Sequence, residues 1–446
     1  MFQTRQPLSF GRRRRHIGRR AAPFLTLLGV LALTSPLTLR ANVVADWDAI
    51  ASSTITPPPG TVLQPPVTEA EQRPIFQVDL ATLHIAIYDA VNAIDRTHEP
   101  FAIIPTTRPD GASQEAAVVG AAYGVLKGLF PGRSALYQSQ YDAYVAGAAA
   151  DPSQVTGLAL GAEVAAGVLE LRKNDGRLTP ATYLTTNAPG DFVPGPTPVV
   201  NTFLPFVKPF AIRRASQFRA PGPPALASER YADDLNEVKE SGSAASVSRT
   251  ADQTDLAKFY TDPPPLYTPR NYRRFATDSQ SIADNARLLA LLWVSNADSM
   301  LGCFESKYFY RFWRPRTAIP RAAEDGNPAT IADTGWAPLL PTPNHPEYPA
   351  AHTCSDGSLA EGLRQFYGTK EISFTIDSRV PGLLHPVHEF NSTDDFVEEV
   401  GDARVFGGMH YRSSVRDGAR LGRRTTRWVA ERFFRPASDE LVGARR

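Results

Sequence analysis

The sequence predicts an all-α protein, and three observations lead to this class. Apolar residues recur at helical spacing in long stretches, most clearly between residues 278 and 313. Alanine-rich stretches fill residues 113–174, and alanine has the lowest conformational cost in a helix. No alternating strand pattern dominates the chain, and no internal repeat is evident. We therefore predict a bundle of helices.

The first 41 residues differ from the rest and are predicted to be an export signal. A basic head without acidic residues precedes an apolar stretch at residues 21–37, and Ala41 offers a small residue for cleavage. The arginine pairs in the head also permit a twin-arginine route. Loss of residues 1–41 would change the formal net charge from +1 to −7. We expect a periplasmic or secreted protein, with residues 42–446 forming a single all-helical domain.

Helices are predicted in the amino-terminal half wherever apolar spacing, start signals and turn signals agree. A proline-rich segment at residues 180–224 contains several phenylalanines, so we predict an ordered loop over the core rather than a disordered linker. The predicted helices of this half span residues 42–53, 76–95, 113–129, 134–149, 153–174, 229–239 and 250–260.

The carboxyl-terminal half contains the most regular pattern. A helix from residue 278 is predicted to end at Arg314, because Pro315 cannot continue it, and Lys307 then lies about two turns earlier on roughly the same face. Further helices are predicted at residues 350–367, 393–406 and 413–434. His352 lies in the first turn of one of them, and His410 lies in the break after Gly407-Gly408.

Five side chains in this half have the chemistry of an oxyanion site. Lys307, Arg314 and Arg404 supply cations, and His352 and His410 supply imidazoles, with no acidic residue inside the three local motifs. Arginine presents a planar fork of donors and lysine a point charge, which suit a tetrahedral oxyanion better than a metal cation. Residues 280–436 are therefore predicted to form the anion-binding half.

The ordered motifs resemble those of a known superfamily. Lys307-x6-Arg314-Pro315, Pro349-Ala350-Ala351-His352 and Arg404-x5-His410 resemble the signature of the vanadium-dependent haloperoxidases and type-2 phosphatidic acid phosphatases. The flanking sequences, Lys-Tyr-Phe-Tyr-Arg-Phe-Trp-Arg-Pro and His-Pro-Glu-Tyr-Pro, are similar to the soluble bacterial haloperoxidase branch. The resemblance implies a helical bundle of the haloperoxidase/acid phosphatase type, with the active site in its carboxyl-terminal half.

The resemblance also implies a role for each matching residue. Vanadate, or phosphate in the same pocket, would be held by Lys307, Arg314, Arg404, His410 and the backbone N–H of Ala351. His410 would bond to vanadium, and Lys307 would also polarise the bound peroxide. His352 would act as the acid–base residue. His345 corresponds to a position where bromide-oxidising relatives often have histidine, which favours bromide over chloride.

The sequence departs from the family pattern at four positions. Ala350 stands where the family usually has serine, Ala351 replaces a glycine, and Ala403 replaces a serine. The acid often found four residues after the second histidine is here Ser414, with Asp417 as the nearest carboxylate.

Three functional hypotheses follow. The first is a haloperoxidase that uses hydrogen peroxide, a halide and a small organic acceptor. The alternative is a soluble acid phosphatase in which His410 forms a phosphohistidine, and the third is an oxyanion-binding protein without turnover. We expect no nucleic acid partner and no membrane span after signal removal, and a homo-oligomer is possible.

Two further features leave alternatives open. Cys303 and Cys354 lie close to the first two motifs, so they form either a disulfide of an exported protein or two buried thiols. His385 and His388, with acidic residues nearby, form either a divalent-metal site or an ordinary solvated segment, and the intervening Pro386 favours the latter.

Overall fold

The computed structural model describes residues 42–61, 64–65 and 67–437, and the predicted signal at residues 1–41 lies outside them. The helices are α1 Val43–Ile55, α2 Glu69–Gln72, α3 Phe76–Asp95, α4 Gln114–Leu129, α5 Gln138–Ala148, α6 Pro152–Arg172, α7 Glu229–Ser241, α8 Ala251–Phe259, α9 Pro264–Arg273, α10 Ile282–Tyr310, α11 Pro315–Ala318, α12 Ala351–Tyr367, α13 Thr393–Phe406 and α14 Arg412–Arg432. The strands are β1 Phe374–Asp377 and β2 Val387–Phe390, which pair antiparallel. The predicted all-α class is confirmed.

Side-chain caps explain where many of these helices begin. At the N-cap positions Ser113, Asp151, Ser228, Ser281 and Ser392, a side-chain oxygen accepts a hydrogen bond from a backbone N–H of the first turn. Such bonds satisfy donors that have no partner within the helix. The helix starts predicted from the sequence agree with the structure to within one residue, except that α5 and α10 begin four residues later than predicted.

The long helix α10 connects two hydrophobic cores. Its residues from Leu288 to Ala297 pack in the larger core with apolar side chains of α3 and α4. Met300, Leu301, Cys303 and Phe304 pack in the second core with residues near the carboxyl end of the helix. The predicted anion site lies at this second end.

Helices α12 and α14 pack closely at glycines. A Cβ atom at Gly422 would lie 2.3 Å from the carbonyl oxygen of Cys354, and one at Gly357 would lie 2.7 Å from that of Ala419. The two helices can approach only because these side chains are absent. This contact fixes His352, on α12, relative to the segment that precedes α14.

Buried carboxylates hold two loops against the helices. Asp298 of α10 accepts hydrogen bonds of 2.7–2.9 Å from the backbone N–H groups of Phe210, Ala211 and Ile212. Asp89 of α3 does the same for residues 101–103, at 2.6–2.9 Å. Residues 180–224 are thus an ordered loop with 3-10 turns at Leu204–Phe206 and Ala215–Phe218, as the sequence predicts.

The structure corrects the predicted end of α10. The helix ends at Tyr310, not at Arg314, because Arg311 adopts a left-handed conformation with φ of 51°. Lys307 therefore lies in the last turn of α10, whereas Arg314 follows the helix in extended backbone, just before α11. The two side chains do not share a helix face.

Three other elements differ from the predictions. Helix α9 was not predicted, because it begins with prolines and contains Pro269, and these residues interrupt the apolar spacing. The β1–β2 hairpin was not predicted because its strands have only four residues each. The predicted helix at residues 134–149 is divided into a 3-10 turn at Pro131–Leu136 and helix α5.

Helix α6 has an unusual composition for a bundle helix. By length and composition alone it is the one helix among the described residues that is long and apolar enough to cross a membrane. Its main neighbour is α4. Gly161 of α6 allows the helix to approach the backbone of Ala117 in α4 closely.

Candidate active site

Helix α10 places Lys307 in the interior of the protein. The residue is fully buried, and its Nζ donates hydrogen bonds to the carbonyl oxygens of Pro346 at 3.0 Å and Glu347 at 2.9 Å. An ammonium group has three donors, so one remains for another acceptor. Burial lowers the pKa of Lys307 to about 8.

Arg314 is fully buried and connects two of the motifs. Its Nε donates to the carbonyl of His345 at 3.0 Å, and one terminal nitrogen donates to the carbonyl of Met409 at 2.9 Å. The same nitrogen lies 3.1 Å from Nε2 of His410, and the other lies 3.1 Å from Nδ1 of His345. Burial lowers its pKa to about 10, so the guanidinium stays charged at neutral pH.

The second motif places His352 at the start of α12. Ala350 is the N-cap, Ala351 is the first helical residue, and no side chain caps this end. A helix start carries unpaired N–H groups and favours an anion. Burial and the charge of Arg404 hold the pKa of His352 well below its usual value, so its imidazole is neutral.

The third motif lies at the end of α13 and in the turn that follows. Arg404 is buried in the last turn, where one terminal nitrogen donates to the carbonyl of Tyr260 at 2.9 Å and the other contacts the sulfur of Met409 at 3.1 Å. Its Nε has no hydrogen-bond partner. Gly408, with φ of +72°, then reverses the chain and leads into His410.

His410 is buried between a carboxylate and a guanidinium. Its Nδ1 lies 2.8 Å from Oε1 of Glu347, and its Nε2 faces Arg314. Burial and the nearby cations hold the pKa of His410 well below its usual value. The pKa of Glu347 is raised to about 7 by burial, with Arg314 and Lys307 opposing the shift.

One cavity of about 520 Å³ connects the motifs. Its polar end includes His345, Ala351, His352, Arg404 and His410, while Lys307 and Arg314 lie behind this wall. The remaining surface is largely apolar and includes the side chains of Phe76, Phe203, Leu204, Met300 and Phe304. Of the seven predicted site residues, five thus line the cavity, and the other two contact cavity-lining residues or their neighbours.

The charge distribution fits a tetrahedral oxyanion. Within residues 42–61, 64–65 and 67–437, Lys307, Arg314 and Arg404 form no ion pair with a carboxylate and donate to neutral groups instead. Three buried cations repel one another in a low-dielectric interior, and a multiply charged anion relieves that repulsion. Arg404 keeps its unpartnered Nε beside the cavity. This donor set suits vanadate or phosphate.

The sequence did not single out two acidic residues of the site. Glu347 is inside the His-Pro-Glu-Tyr-Pro segment, but nothing in its spacing shows that it reaches His410. Asp356 is four residues after His352, on the same helix face, and it lines the cavity near Arg404. That helical spacing was the available signal. Burial raises the pKa of Asp356 to about 8.

The cysteines and the second histidine pair lie outside the cavity wall. Cys303 and Cys354 are both buried and free, so the structure has no disulfide between them. His388 belongs to β2, stacks on Phe259 and contacts Glu399 at 2.7 Å, whereas the backbone N–H of His385 donates to Asp255.

Comparisons with known proteins agree with this arrangement. Residues 287–439 match the model of the vanadium chloroperoxidase (VCPO) second helical-bundle domain. A vanadium chloroperoxidase from Curvularia inaequalis is 26% identical over 174 residues, which cover 29% of this chain and 28% of that protein. The match thus spans well under half of the relative's length.

Solved structures extend the likeness to nearly the whole chain. A bacterial vanadium-dependent iodoperoxidase superposes with a TM-score of 0.70 at 22% identity, covering 89% of this chain and 97% of that one. A holo-type bacterial vanadium-dependent chloroperoxidase gives a TM-score of 0.64 at 16% identity, covering 87% and 97%. The chain has the vanadium haloperoxidase fold. The resemblance predicted from the sequence is confirmed.

The matched segment contains every residue of the three motifs in this haloperoxidase-like chain. Residues 287–439 include Lys307, Arg314, His352, Arg404 and His410. The second helical-bundle domain of the fold is therefore the part that carries the candidate site. The apolar wall of the cavity, in contrast, also uses residues from α3 and from the loop at 180–224.

Proposed function

We propose that the protein is a vanadate-dependent haloperoxidase that oxidises a halide, with bromide favoured over chloride, at the expense of hydrogen peroxide. A small organic acceptor would receive the halogen. The observation that carries the proposal is the convergence around one cavity of two neutral imidazoles and three buried cations that form no ion pair with a carboxylate among the described residues. This convergence is supported by the shared fold.

The three cations would bind and neutralise the anion. Lys307 has one donor left, and Arg404 has an unpartnered Nε, while Arg314 is fixed by carbonyl oxygens beside His410. Each charge-assisted hydrogen bond contributes roughly 1.5–3 kcal/mol. When bound, vanadate supplies a Lewis acid that activates hydrogen peroxide without a change of oxidation state.

His352 would move the proton. Its neutral imidazole lines the cavity beside Arg404, so it can accept a proton from hydrogen peroxide and return it to the leaving oxygen. Burial and the nearby positive charge disfavour the imidazolium, so the proton is passed on to the leaving oxygen more readily than from an exposed histidine.

His345 supports the preference for bromide. Its ring lines the cavity, lies 3.1 Å from a terminal nitrogen of Arg314 and packs edge-on against Phe304. The residue is buried in the cavity wall, so a halide in the cavity would meet this ring beside the guanidinium of Arg314.

Phosphate monoester hydrolysis in the same pocket is the second candidate. The buried contact between Nδ1 of His410 and Glu347 leaves Nε2, which faces Arg314, as the unprotonated nitrogen that a phosphohistidine mechanism also needs. Arg314 and Arg404 would then hold the phosphate oxygens.

A parallel assay distinguishes the two activities. Purified apo protein is incubated with orthovanadate, hydrogen peroxide and bromide, and bromination of a phenolic dye is followed. Aryl phosphate hydrolysis is measured on the same preparation. We expect vanadate-dependent bromination, with chloride used more slowly. Phosphate release that vanadate inhibits, without bromination, would establish the phosphatase instead.

Two histidine variants complete the test. His410→Ala is expected to abolish the activity, because it removes the nitrogen that would bond to the central atom. His388→Ala is the matched control, since His388 is also an imidazole paired with a glutamate, but it is half-buried and lies outside the cavity. Unchanged bromination in His410→Ala would disprove the assigned role.

We also propose that the chain is exported, on the strength of the basic and apolar composition of residues 1–41. Fractionation of the source cells tests this, with a periplasmic or secreted product as the expected result and a cytosolic one as the contrary result.

A further inference from the structure

Glu347, two residues before the Pro349–His352 motif, contacts the motifs of Lys307 and His410 through different atoms. Its carboxylate Oε1 accepts a hydrogen bond from the backbone N–H of Tyr411 at 3.1 Å and lies 2.8 Å from Nδ1 of His410. Its backbone carbonyl accepts from Lys307, and its backbone N–H donates to the carbonyl of Phe312 at 2.9 Å. The side chain is fully buried. Its position is therefore set independently of any bound anion.

The partners of His410 determine its tautomer. A guanidinium nitrogen can only donate, so the Nε2 atom that faces Arg314 at 3.1 Å must be the acceptor nitrogen of the ring. A neutral imidazole then carries its hydrogen on Nδ1, and that hydrogen points at Glu347. The two neighbours thus favour the same tautomer, and the preference weakens when either contact is lost.

In the part of the chain that the structure describes, no other carboxylate contacts His410. Ser414 occupies the position where relatives often have an acid, four residues after His410. Asp417 accepts a hydrogen bond from the hydroxyl of Tyr348 at 2.7 Å and contacts Arg420, so it is engaged elsewhere. Glu347 comes from a different segment, 63 residues before His410 in the chain.

We infer that Glu347 is the positioning residue of the site: it holds His410 in the Nδ1–H tautomer, so that the lone pair lies on Nε2, where Arg314 now donates and where a bound anion would replace that contact. The inference deepens the proposed function and rests on it for the reactive role of His410. Partners of this kind typically change affinity by about 10- to 100-fold when they are removed.

The tautomer itself can be measured without any activity. Nitrogen NMR of apo protein labelled with ¹⁵N-histidine separates protonated from unprotonated ring nitrogens. We expect His410 in the wild type to show a protonated Nδ1 and an unprotonated Nε2, and His410→Ala identifies its signals. A protonated Nε2 in the wild type would overturn the inference.

Two substitutions separate hydrogen bonding from charge. In Glu347→Gln, the N–H of Tyr411 still requires an oxygen at Oε1, so the amide accepts from Nδ1 and the tautomer is retained. In Glu347→Leu no acceptor remains, and a mixture of tautomers is expected. Glu361→Leu is the matched control, because Glu361 is a buried glutamate of α12 that contacts Gln365 and Arg427, outside the cavity.

Anion affinity supplies the second readout. Calorimetric titration with orthovanadate, and separately with inorganic phosphate, is expected to show at least tenfold weaker binding in Glu347→Leu, with partial recovery in Glu347→Gln. Glu361→Leu should bind as the wild type does. Unchanged affinity and tautomer in Glu347→Leu would refute the inference, and if that variant does not fold, a Glu347→Gln protein with a changed tautomer would refute it.

The outcome is separable from that of the proposed function. If bromination fails but the tautomer and both anion affinities respond as expected, the haloperoxidase proposal is wrong while the role of Glu347 stands. If bromination succeeds but Glu347→Leu leaves the tautomer unchanged, only the present inference fails.

Discussion

At the scale of single residues, the site depends on cations that are held by carbonyl oxygens rather than by carboxylates. Lys307 donates to residues 346 and 347, Arg314 to residues 345 and 409, and Arg404 to residue 260. A carbonyl orients a cation without cancelling its charge. The full positive charge therefore remains available to an anion, and the side chains need little rearrangement to bind it.

Anion binding is expected to weaken as the pH rises through about 8. Lys307, with a pKa of about 8, loses its positive charge there, and Asp356, also with a pKa of about 8, gains a negative one. Both changes disfavour an anion in the cavity. Sulfate is a suitable probe because it does not titrate in this range, and its dissociation constant can be measured between pH 6 and 10.

Asp356→Asn isolates the contribution of Asp356 to this pH dependence. The variant is expected to bind sulfate as the wild type does at pH 6, where Asp356 is protonated, and on the order of tenfold more tightly at pH 10. The residual pH dependence then belongs to Glu347, Lys307 and Arg314, whose pKa values are about 7, 8 and 10. Asp395→Asn, an exposed substitution on α13, is the control. Identical pH profiles in wild type and Asp356→Asn would show that Asp356 does not influence the anion.

At the scale of elements, the carboxylate of Asp298 secures the long loop to α10. Asp298→Ala removes the acceptor of three backbone N–H groups in a buried setting. We expect the free energy of unfolding in urea to fall by roughly 3 kcal/mol. Asp252→Ala, at an exposed position of α8, should change it by no more than about 0.5 kcal/mol. A small effect at Asp298 would mean that the apolar contacts of the loop suffice.

The contact between α12 and α14 yields a second prediction. In Gly422→Ala the new methyl group meets the carbonyl oxygen of Cys354, so the helices must separate at a cost of about 1–3 kcal/mol in unfolding free energy. Gly147→Ala in α5 meets nothing within 4 Å and should stabilise by up to about 1 kcal/mol. Thermal unfolding of both variants provides the test, and a neutral Gly422→Ala would contradict the packing.

At the scale of the whole molecule, periodicity predicted most helices but not the geometry between motifs. Helix α3 was predicted to the residue because its apolar spacing is undisturbed, whereas α9 was missed because prolines interrupt it. The end of α10 was predicted at Arg314, before Pro315, yet a left-handed Arg311 ends the helix earlier, and no local pattern shows that choice.

The site was predictable as a list of residues and not as a set of contacts. Three local motifs gave the cations and the imidazoles, because their types and spacing carry the chemistry. Glu347 reaches His410 only through tertiary packing, which spacing along the chain does not encode, whereas the helical spacing of Asp356 from His352 was a usable signal. The absence of acidic residues inside the motifs therefore did not exclude acidic residues from the cavity.

Helix α10 links the stability of the two hydrophobic cores. Its first part is enclosed by α3 and α4, and its last turns support the carboxyl-terminal core that contains Lys307. In a fragment limited to residues 280–436, the apolar side chains of the first part of α10 would be exposed to water. Unfolding of the amino-terminal helices would thus also displace Lys307. Calorimetry should therefore record a single unfolding transition for residues 42–437 rather than two.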